Sequence, residues 1–438
     1  MPRCGRRHPI SPPRTKAAGA GPCVTAATLL SGLANVPPVA AHLPESRTAA
    51  MSIDELATEM IDRGVRRVRM MAWRDFDDPD AGGSEEHADQ FMRRWAAAGL
   101  DCTIRTSSAI GLPELAERNG YRVIRRGSRY SVFPRTIARN LLGHSQFDAL
   151  VEIWNGVPWF SPIWSRHPRI TFLHHVHGPM WDQILPGSVA WAGRALEARL
   201  APPFYRRTLT LTPSDATRDE LIHLGFRPER TIAVPNGVDE FFTPGGERAA
   251  HPTVVCVGRL APVKRQDEMI EAAVVARRRV PDLRLVIVGD GPLRPALEEA
   301  VRRHGAGDWI TLTGRLDGEA LRAAYRSAWV VASASLAEGW GLTLTEAAAC
   351  GTPAVATDIN GHRSSVVDGV TGVLAPLDRL GDALADVLLD HQRRAALADA
   401  ALARALTLTW DASAQGVLRG LHAQVVGRLS GGAAGQRS

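Results

Sequence analysis

The sequence is poor in cysteine, and its cysteines are badly spaced for a metal site or a disulfide framework. It contains five in 438 residues, an odd number, and no Cys-x-x-Cys pair. Structural zinc sites need closely spaced ligands, and disulfide-rich secreted domains need paired cysteines. Scattered thiols are typical of a reducing compartment, so we expect a cytoplasmic protein that binds no metal.

Long hydrophobic runs are also missing. No apolar run approaches the ~20 residues that a membrane-spanning helix needs. Residues 24–34 (VTAATLLSGLA) follow a basic segment, which makes a secretory signal an alternative, but this run is rich in Ala and Thr. Because patterned structure begins only after Met51, we expect residues 1–65 to be a disordered leader, with Met51 as an alternative start.

Net charge is low once the N-terminal segment is set aside. The chain carries +6, but residues 1–50 hold six basic side chains against one acid. That leaves 46 basic and 45 acidic side chains for the remainder, which is nearly neutral. A nucleic-acid partner would need a basic surface on the folded body, so we do not expect one.

Two common phosphate-binding signatures are absent. The sequence has no GxxxxGK[ST] phosphate loop, and no GxGxxG follows a predicted strand. The second absence argues against an ordinary dehydrogenase.

What the sequence does contain is two successive series of strand–helix units, which predict an α/β fold with parallel sheets. A chain of 438 residues is too long for one core, so we expect two large domains. The stretch 234–248 is rich in Pro and Gly and is interpreted as a linker. The predicted segments are a leader (1–65), an N-terminal domain (66–235), a linker (236–250), a C-terminal domain (251–407), a final helix (408–429) and a disordered tail (430–438).

The strongest chemical pattern is EGWGLTLTE, residues 338–346, in which seven residues separate Glu338 from Glu346. Its glycines allow a backbone to approach a ligand closely, and its predicted helix start offers unpaired N–H groups to a phosphate. Glu346 lies one turn into that helix, where it can accept hydrogen bonds from hydroxyls such as those of a ribose. The backbone positions concerned are Gly339, Gly341, Leu342 and Thr343.

A second pattern, GRLAPVK, directly follows the apolar strand predicted at 253–257. It places Arg259 and Lys264 five residues apart at the carboxyl end of that strand, where open α/β sheets bind their ligands. A guanidinium and an ammonium at this edge are expected to clamp a diphosphate.

Two weaker patterns lie in the first domain. Gly82 and Gly83 precede Ser84, the predicted N-cap of a helix, and such a turn can cradle an anion. Asp78-Pro79-Asp80 has the form of a DxD metal motif, but Asp75 and Asp77 are equally close, so a polar loop is the preferred interpretation.

Three histidines, His174, His175 and His177, follow the apolar strand predicted at 170–174. No carboxylate or cysteine stands at a convincing spacing for a shared metal ion. A histidine at a strand end is instead expected to hydrogen-bond a sugar hydroxyl or an acceptor. The residues alone leave open which of the three does so, and one of them can be a core histidine.

Taken in order, these patterns resemble the family-4 retaining glycosyltransferases of the GT-B fold, in which two Rossmann-like, doubly wound domains face each other across a cleft. The resemblance spans roughly residues 67–427 and includes AGGSE, PSDATRDELIHLGF, VPNGVD, VGRLAPVKRQDEMIEA, LVIVGDGP and EGWGLTLTEAAACGTPAVAT. It implies that the final helix returns to the N-terminal domain. It also implies metal-independent transfer of a hexosyl group, with retention, from a UDP- or GDP-sugar to a hydroxyl of a glycan, lipid or small molecule.

By the same resemblance the candidate residues take roles. Arg259 and Lys264 bind the donor diphosphate, and Glu346 binds the ribose. Glu338 and His174 lie at the reacting centre. The implied donor-binding set is completed by Gly82, Gly83, Gly314, Arg315, Leu316, Gly339, Gly341, Leu342 and Thr343.

The acceptor side is less well defined by the sequence. Residues 107–165 are expected to shape it, and Asn155 and Trp159 are the candidates chosen there. His177 is a third, because it competes with His174 for the strand-end role. Two alternative functions stay open, an epimerase-like sugar-nucleotide enzyme and a non-catalytic nucleotide-sugar-binding protein.

A further alternative is peripheral contact with the inner face of the membrane. Trp191, Leu196 and Leu200 lie among several arginines and together predict an amphipathic surface. The competing interpretation is a helix that packs on its own domain.

Overall fold

The computed structural model describes residues 50–78, 81–144 and 146–435, and these form two lobes, each built on one mainly parallel sheet. The strands of the first lobe are β1 (Arg67–Met71), β2 (Asp101–Thr106), β3 (Leu115–Arg118), β4 (Tyr121–Arg125), β5 (Ala149–Trp154), β6 (Arg169–Leu173), β7 (Leu209–Thr212) and β8 (Thr231–Ala233). Those of the second lobe are β9 (Thr253–Val257), β10 (Arg284–Val288), β11 (Ile310–Gly314), β12 (Val330–Ser333), β13 (Ala354–Thr357) and β14 (Gly372–Ala375).

Helices cover both faces of each sheet. The α-helices of the first part of the chain are α1 (Ile53–Asp62), α2 (Gly83–Ala97), α3 (Val132–Leu141), α4 (Ser161–Trp164), α5 (Trp181–Ile184), α6 (Gly187–Ala195), α7 (Pro202–Tyr205) and α8 (Asp215–His223). The later ones are α9 (Gln266–Arg277), α10 (Arg294–Arg303), α11 (Gly318–Ser327), α12 (Leu342–Ala349), α13 (Asn360–Ser365), α14 (Leu380–Leu389), α15 (His391–Ala405) and α16 (Trp410–Gly435).

The strand order explains where a ligand can bind. The first sheet runs β3-β4-β2-β1-β5-β6-β7-β8 and the second runs β11-β10-β9-β12-β13-β14. Except for the antiparallel β3–β4 pair, the paired strands are parallel, so their carboxyl ends share one edge in each sheet. Central strands such as β5 (ALVEIW) are buried throughout, as expected of a sheet covered on both faces. The order reverses at β1 in one sheet and at β9 in the other, which are the positions where such sheets bind ligands.

The last helix, α16, belongs to the core of the first lobe although it follows the second in sequence. Trp410, Leu418 and Val425 are buried among residues of β1, β5 and β6. The chain crosses between lobes at a tight point, where Val238 N donates to Leu408 O at 2.9 Å. Gly237 lies so close that a Cβ there would stand 2.2 Å from Trp410 N. The chain therefore passes between the lobes twice, once in the linker and once at the start of α16, and the two passages lie side by side.

Several expectations need correction. Residues 53–62 were expected to be disordered but form α1, which starts with a capping box in which Glu55 N donates to Ser52 Oγ at 3.2 Å. Its buried side chains pack on α16, and Gln415 Nε2 donates to Met51 O at 2.6 Å. Helix α2 has Gly82, not Ser84, at its N-cap. Helix α16 continues to Gly435 instead of ending at residue 429.

The remainder of the predicted leader, residues 1–49, lies outside the described residues. Within the described residues, no helix is both long enough and apolar enough to cross a membrane.

Candidate active site

Two glycine segments bring the lobes into contact at the edge where the strands end. A Cβ on Gly339 would stand 2.6 Å from His174 O, which follows β6. A Cβ on Gly83, at the start of α2, would stand 3.1 Å from Leu342 Cδ1, at the start of α12. Both contacts join patterns that the sequence singled out in different halves of the chain. The predicted residues of the two lobes therefore do meet in one cleft.

Glu338 lies at the centre of this contact. It forms an ion pair with Lys264 Nζ and accepts a hydrogen bond from Ser335 Oγ at 2.8 Å. Burial is the largest single influence and would raise the pKa of Glu338, but the charges of Lys264 and His362 and the hydrogen bonds from Lys264 and Ser335 together hold the pKa below its usual value. Gly361 backs the carboxylate so closely that a Cβ there would stand 2.6 Å from Glu338 Cβ. The carboxylate is therefore ionised and fixed in direction.

The two predicted cations occupy different environments. Lys264 ends a 3-10 turn that follows β9, and its ammonium is taken up by Glu338. Arg259 is exposed, and within the described residues its guanidinium has no ion pair or hydrogen bond. Its backbone is held instead, since Gln266 Nε2 donates to Arg259 O at 2.9 Å. Such a guanidinium on a fixed backbone is available to an anionic ligand.

Helix α12 points its N-terminus into the same cleft. Its N-cap is Gly341, with φ +93°, a left-handed conformation that favours glycine. Among the described residues no side chain caps this helix, and the N–H groups of its first turn, including those of Leu342 and Thr343, have no intrahelical partner. An anion next to Gly341 would meet these donors and the positive end of the helix dipole.

His362 is a member of the site that the sequence did not reveal. It is fully buried, and its Nδ1 donates to Thr357 O at 2.8 Å, which leaves Nε2 as an unpartnered acceptor. Its Cδ2 lies 3.3 Å from where a Cβ on Gly341 would stand. Burial lowers the pKa of His362, so the ring is neutral. A single histidine on the short helix α13 gives no sequence pattern that would have identified it.

Glu346 lies one turn into α12, beside two acids from other parts of the chain. Tyr325 Oη donates to it at 2.7 Å. Burial raises the pKa of Glu346 to about 7, and the negative charges of Glu86 and Asp239 contribute in the same direction. Glu86 comes from α2 and Asp239 from the linker, so three segments converge here. Neither of these two acids was predicted as a site residue.

The predicted donor-binding residues Gly314, Arg315 and Leu316 lie at or just after the end of β11. Gly314 has φ +77° and its carbonyl accepts from Gly289 N at 2.9 Å. Gly289 in turn lies so close to Gly258 that a Cβ there would stand 2.0 Å from Gly258 O. Leu316 is half-buried and Arg315 is exposed. This loop therefore adjoins the strand end that carries Arg259.

The three histidines after β6 point in different directions. His174 packs against His87 of α2, with ring centroids 4.7 Å apart, and burial lowers its pKa to about 3. Neither ring nitrogen of His174 has a hydrogen-bond partner within the described residues. Its imidazole is therefore held in the first lobe, and it is the carbonyl of His174 that meets Gly339. His175 and His177 instead stack on each other at 4.3 Å.

The acceptor candidates separate into two cases. Asn155 Nδ2 donates to Ser84 Oγ at 3.2 Å, which joins the end of β5 to the start of α2 at the cleft. Trp159 is fully buried against Phe133, and its Nε1 donates to Ile153 O at 3.1 Å. The indole therefore lies in the core of the first lobe, and its contact with an acceptor stays a prediction. Its loop folds inward because buried Glu152 accepts from Trp159 N at 2.8 Å.

Carboxylates of the acidic loop after β1 pair with arginine side chains of the same lobe. Asp75 and Asp77 pair with buried Arg125 at 2.5 and 2.8 Å. Pro79 and Asp80 of the DxD-like triplet lie outside the described residues. Within the described ranges, no group of three or more His, Cys, Asp or Glu side chains is arranged to hold a metal ion.

Comparison with known proteins identifies the family. The model described as Glycosyltransferase Family 4 matches residues 81–240, and the one described as Glycosyl transferases group 1 matches residues 238–404. A D-inositol 3-phosphate glycosyltransferase of Kribbella flavida is 31% identical over 82% of this chain and 96% of its own length. A GDP-mannose-dependent alpha-(1-6)-phosphatidylinositol monomannoside mannosyltransferase of Mycolicibacterium smegmatis is 30% identical over 65% of this chain and 79% of its own.

Solved structures show the same fold at lower identity. Sucrose-phosphate synthase of Thermosynechococcus elongatus superposes with a TM-score of 0.66 and 21% identity, over 80% of this chain and 96% of the other. HepE of Anabaena, determined in complex with UDP-glucose, gives 0.62 and 18%, over 83% and 99%. The fold is therefore GT-B, as the sequence predicted. The chain belongs to the group 1, family-4 glycosyltransferases.

Proposed function

We propose that this glycosyltransferase moves a hexosyl group, with retention and without a metal ion, from a nucleoside diphosphate sugar to an acceptor hydroxyl. The observation that carries the proposal is the Lys264–Glu338 pair beside the N-terminus of α12, with Arg259 on the same segment after β9 as Lys264. The barrier to such a transfer is the charge that develops on the leaving diphosphate. Fixed positive groups at that position lower the barrier most effectively.

Each donor group has a proposed role. Arg259, Lys264 and the N–H groups of Leu342 and Thr343 bind the diphosphate. Glu346 accepts from ribose hydroxyls, and the loop at Gly314, Arg315 and Leu316 lies against the base. Glu338, held ionised by Lys264, orients hydroxyls of the transferred sugar and is not free to act as a nucleophile.

The first lobe has the complementary proposed role. Gly82 and Gly83 close over the phosphates, because Gly83 already touches the start of α12. Asn155 and His177 face the acceptor. At the reacting centre, the strand-end role is assigned to the carbonyl of His174, which meets Gly339. The imidazole of His174 does not take this role, because it is directed into the first lobe.

The donor is a UDP- or GDP-sugar in this proposal. Support comes from one relative named as GDP-mannose-dependent and one similar fold determined with UDP-glucose. Two relatives are named for inositol-containing acceptors, so D-inositol 3-phosphate and phosphatidylinositol monomannoside are the first acceptors to try.

A thermal-shift panel of UDP-, GDP- and ADP-sugars, with and without EDTA, tests the proposal. We expect one nucleotide to raise the melting temperature selectively and EDTA to leave that rise unchanged. The selected donor is then incubated with each acceptor, and the anomeric configuration of the product is read by NMR. No shift with any donor, or a product of inverted configuration, would contradict the proposal, and epimerised sugar nucleotide without an acceptor would favour the epimerase-like alternative.

A further inference from the structure

A single buried carboxylate, Glu197, organises the loop that follows the three histidines. Its Oε1 accepts from His177 N at 2.9 Å, and its Oε2 accepts from Gly178 N at 2.9 Å and from Trp181 Nε1 at 3.2 Å. The side chain is only 2% exposed. A buried carboxylate is stable only where hydrogen-bond donors compensate for its lost hydration. The loop supplies these donors to Glu197, and Glu197 in turn fixes the loop.

Glu197 stands on an unusual piece of backbone. Residues Leu196–Leu200 form a π-helical turn that continues α6. Such turns are rare and occur frequently at functional sites. On the preceding turn, a Cβ on Gly193 would stand 2.7 Å from the Trp181 ring, so a larger residue would displace the indole. The segment is built to hold Trp181 and the start of its loop in one position.

The indole in turn supports His177. The two rings stack with centroids 5.0 Å apart and an interplanar angle of 29°. His177 Nδ1 is buried and lies 3.4 Å from Glu197 Oε1, and it makes no other polar contact within the described residues. This distance is long for a hydrogen bond, but such contacts in unliganded sites often tighten when substrate binds.

The opposite edge of the ring lies against the residues that follow β5. His177 Nε2 lies 3.5 Å from where a Cβ on Gly156 would stand, directly after Asn155. A carboxylate beside Nδ1 favours the tautomer with the proton on Nδ1, because that proton is then shared with the acid. Nε2 is left with a free lone pair. Gly156 joins Asn155 to His177, and His175 packs against His177, so these three residues, here called the acceptor wall, are neighbours.

His175 connects the acceptor wall with the donor side of the cleft. His175 stacks on His177 at 4.3 Å, and its Cβ lies 3.7 Å from where a Cβ on Gly339 would stand. A hydroxyl bound at His177 would therefore lie one ring away from the loop that carries Gly339 and Glu338.

We propose that Glu197 is a positioning residue of the acceptor wall, which holds His177 with Nδ1 protonated and presents Nε2 to a hydroxyl of the acceptor. The inference rests on the proposed function, because it requires a cleft loaded with donor. In this arrangement His177 contacts the acceptor, whereas Glu197 acts only through His177 and the loop backbone.

The test uses water as the smallest hydroxyl that can enter the cleft. Slow hydrolysis of the donor selected by the thermal-shift panel is measured under enzyme excess for the unchanged chain, Glu197→Gln, His177→Asn and the double variant. The amide introduced by Glu197→Gln would turn an NH2 group toward backbone N–H groups, so the loop loses one acceptor. We expect each single change to slow hydrolysis by about tenfold, as loss of positioning does. Because the two residues act as one unit, the double variant should be no slower than either.

Two further comparisons separate positioning from general damage. His177→Gln keeps a polar group near the Nε2 position, whereas His177→Asn keeps one near Nδ1, so the Gln variant should retain more hydrolysis. Asp89→Asn is the matched control, since Asp89 is also a buried carboxylate of this lobe and accepts from Tyr121 Oη at 2.5 Å. It should lower the melting temperature without slowing hydrolysis per folded molecule.

The outcomes decide the inference. Unchanged hydrolysis in Glu197→Gln, or effects that multiply in the double variant, would overturn it. So would a weaker donor-induced thermal shift in the single variants, because that result indicates only structural loss. Ring ¹⁵N chemical shifts give an independent reading, and a proton on Nε2 of His177 in the unchanged chain would contradict the inference directly. Absence of any donor-induced shift in the unchanged chain would instead overturn the proposed function, and this inference with it.

Discussion

The two sides of the cleft keep their charges in different ways. On the donor side, Arg259 is exposed and has no partner among the described residues, and Lys264 is paired with Glu338. On the acceptor side, the carboxylate of Glu197 is buried and satisfied by three donors. The donor side thus holds charge ready for a ligand, while the acceptor side uses its charge to hold a loop. The difference predicts that changes on the donor side will act on chemistry and those on the acceptor side on geometry.

The largest effect is expected from removing the donor-side cations. The double change Arg259→Ala, Lys264→Ala should lower turnover by roughly 10³-fold, because preorganised groups that stabilise leaving-group charge supply the largest share of catalysis. Loss of Arg259 should leave folding unchanged because that side chain is exposed, whereas loss of Lys264 should lower the melting temperature because Glu338 then lacks its cation, so turnover is compared per folded molecule. Arg303→Ala, an exposed arginine on α10, is the matched control for loss of a surface cation. Turnover equal to that of the unchanged chain would remove these cations from the mechanism.

A single added methyl group can break the contact between the donor side and the acceptor side of the cleft. Gly339→Ala would place a Cβ 2.6 Å from His174 O, so the lobes must separate locally. A displacement of about 1 Å at a reacting centre costs roughly 10²-fold in rate, and we expect a loss of that order. Gly307→Ala serves as control, because a Cβ there meets nothing within 4 Å. Equal rates for the two variants would show that this contact does not exist in the active state.

On the donor side, Glu346 makes the stability of the folded chain depend on pH. Its pKa is raised to about 7 in the folded chain from an ordinary value of 4.5, mainly by burial. The folded state therefore holds the proton more tightly than the unfolded state, and this group's contribution to stability falls as the pH rises from 4.5 to about 7. Glu346→Gln stays neutral, so its melting temperature relative to the unchanged chain should rise over that interval and then level off.

Donor binding should follow the opposite trend at the same residue. Ribose hydroxyls need the ionised carboxylate as acceptor, so the donor-induced thermal shift of the unchanged chain should be larger at about pH 8 than at about pH 6, on either side of the raised pKa. In Glu346→Gln we expect donor affinity about tenfold lower at the higher pH, the value of one charge-assisted hydrogen bond. If the donor-induced thermal shift of the Gln variant has the same pH profile as that of the unchanged chain, Glu346 does not bind the ribose.

The smallest functional effect is expected at Trp159. Trp159→Phe loses the hydrogen bond to Ile153 O and some buried volume, which should cost about 1–2 kcal/mol of unfolding free energy. Turnover per folded molecule should not change, since the indole is buried away from the cleft. The measurement is chemical denaturation beside an activity assay. A selective loss of acceptor affinity would restore the residue to the acceptor side.

Most of the parallel framework was predictable because its signals are local. Strand β9 has the predicted boundaries, since it is a run of apolar and β-branched residues flanked by polar loops. Strand β3 was missed because LAER is a short, half-exposed edge strand without a hydrophobic alternation. Helix α1 was missed although Ser52 and Glu55 carry the spacing of a capping box.

The site was predictable where a motif carries its own backbone geometry. The glycine-to-helix turn at Gly341 and the strand-end cations are recognisable from neighbouring residues alone. His362, Glu86 and Asp239 have no such local signal, because each reaches the cleft only through the packing of a different element. The burial of Trp159 also has no local signal, since its loop is turned inward by Glu152 on a strand earlier in the chain.

By itself the sequence determined the α/β class, the family and the residues that are candidates to surround a diphosphate, because apolar periodicity and glycine-rich turns are properties of short segments. Only the tertiary structure decided how His174, His175 and His177 are directed, and that α16 completes the core of the first lobe. It also decided that Gly339 meets His174 and that Glu197 supports His177. These contacts join segments whose geometry depends on how whole helices and sheets pack.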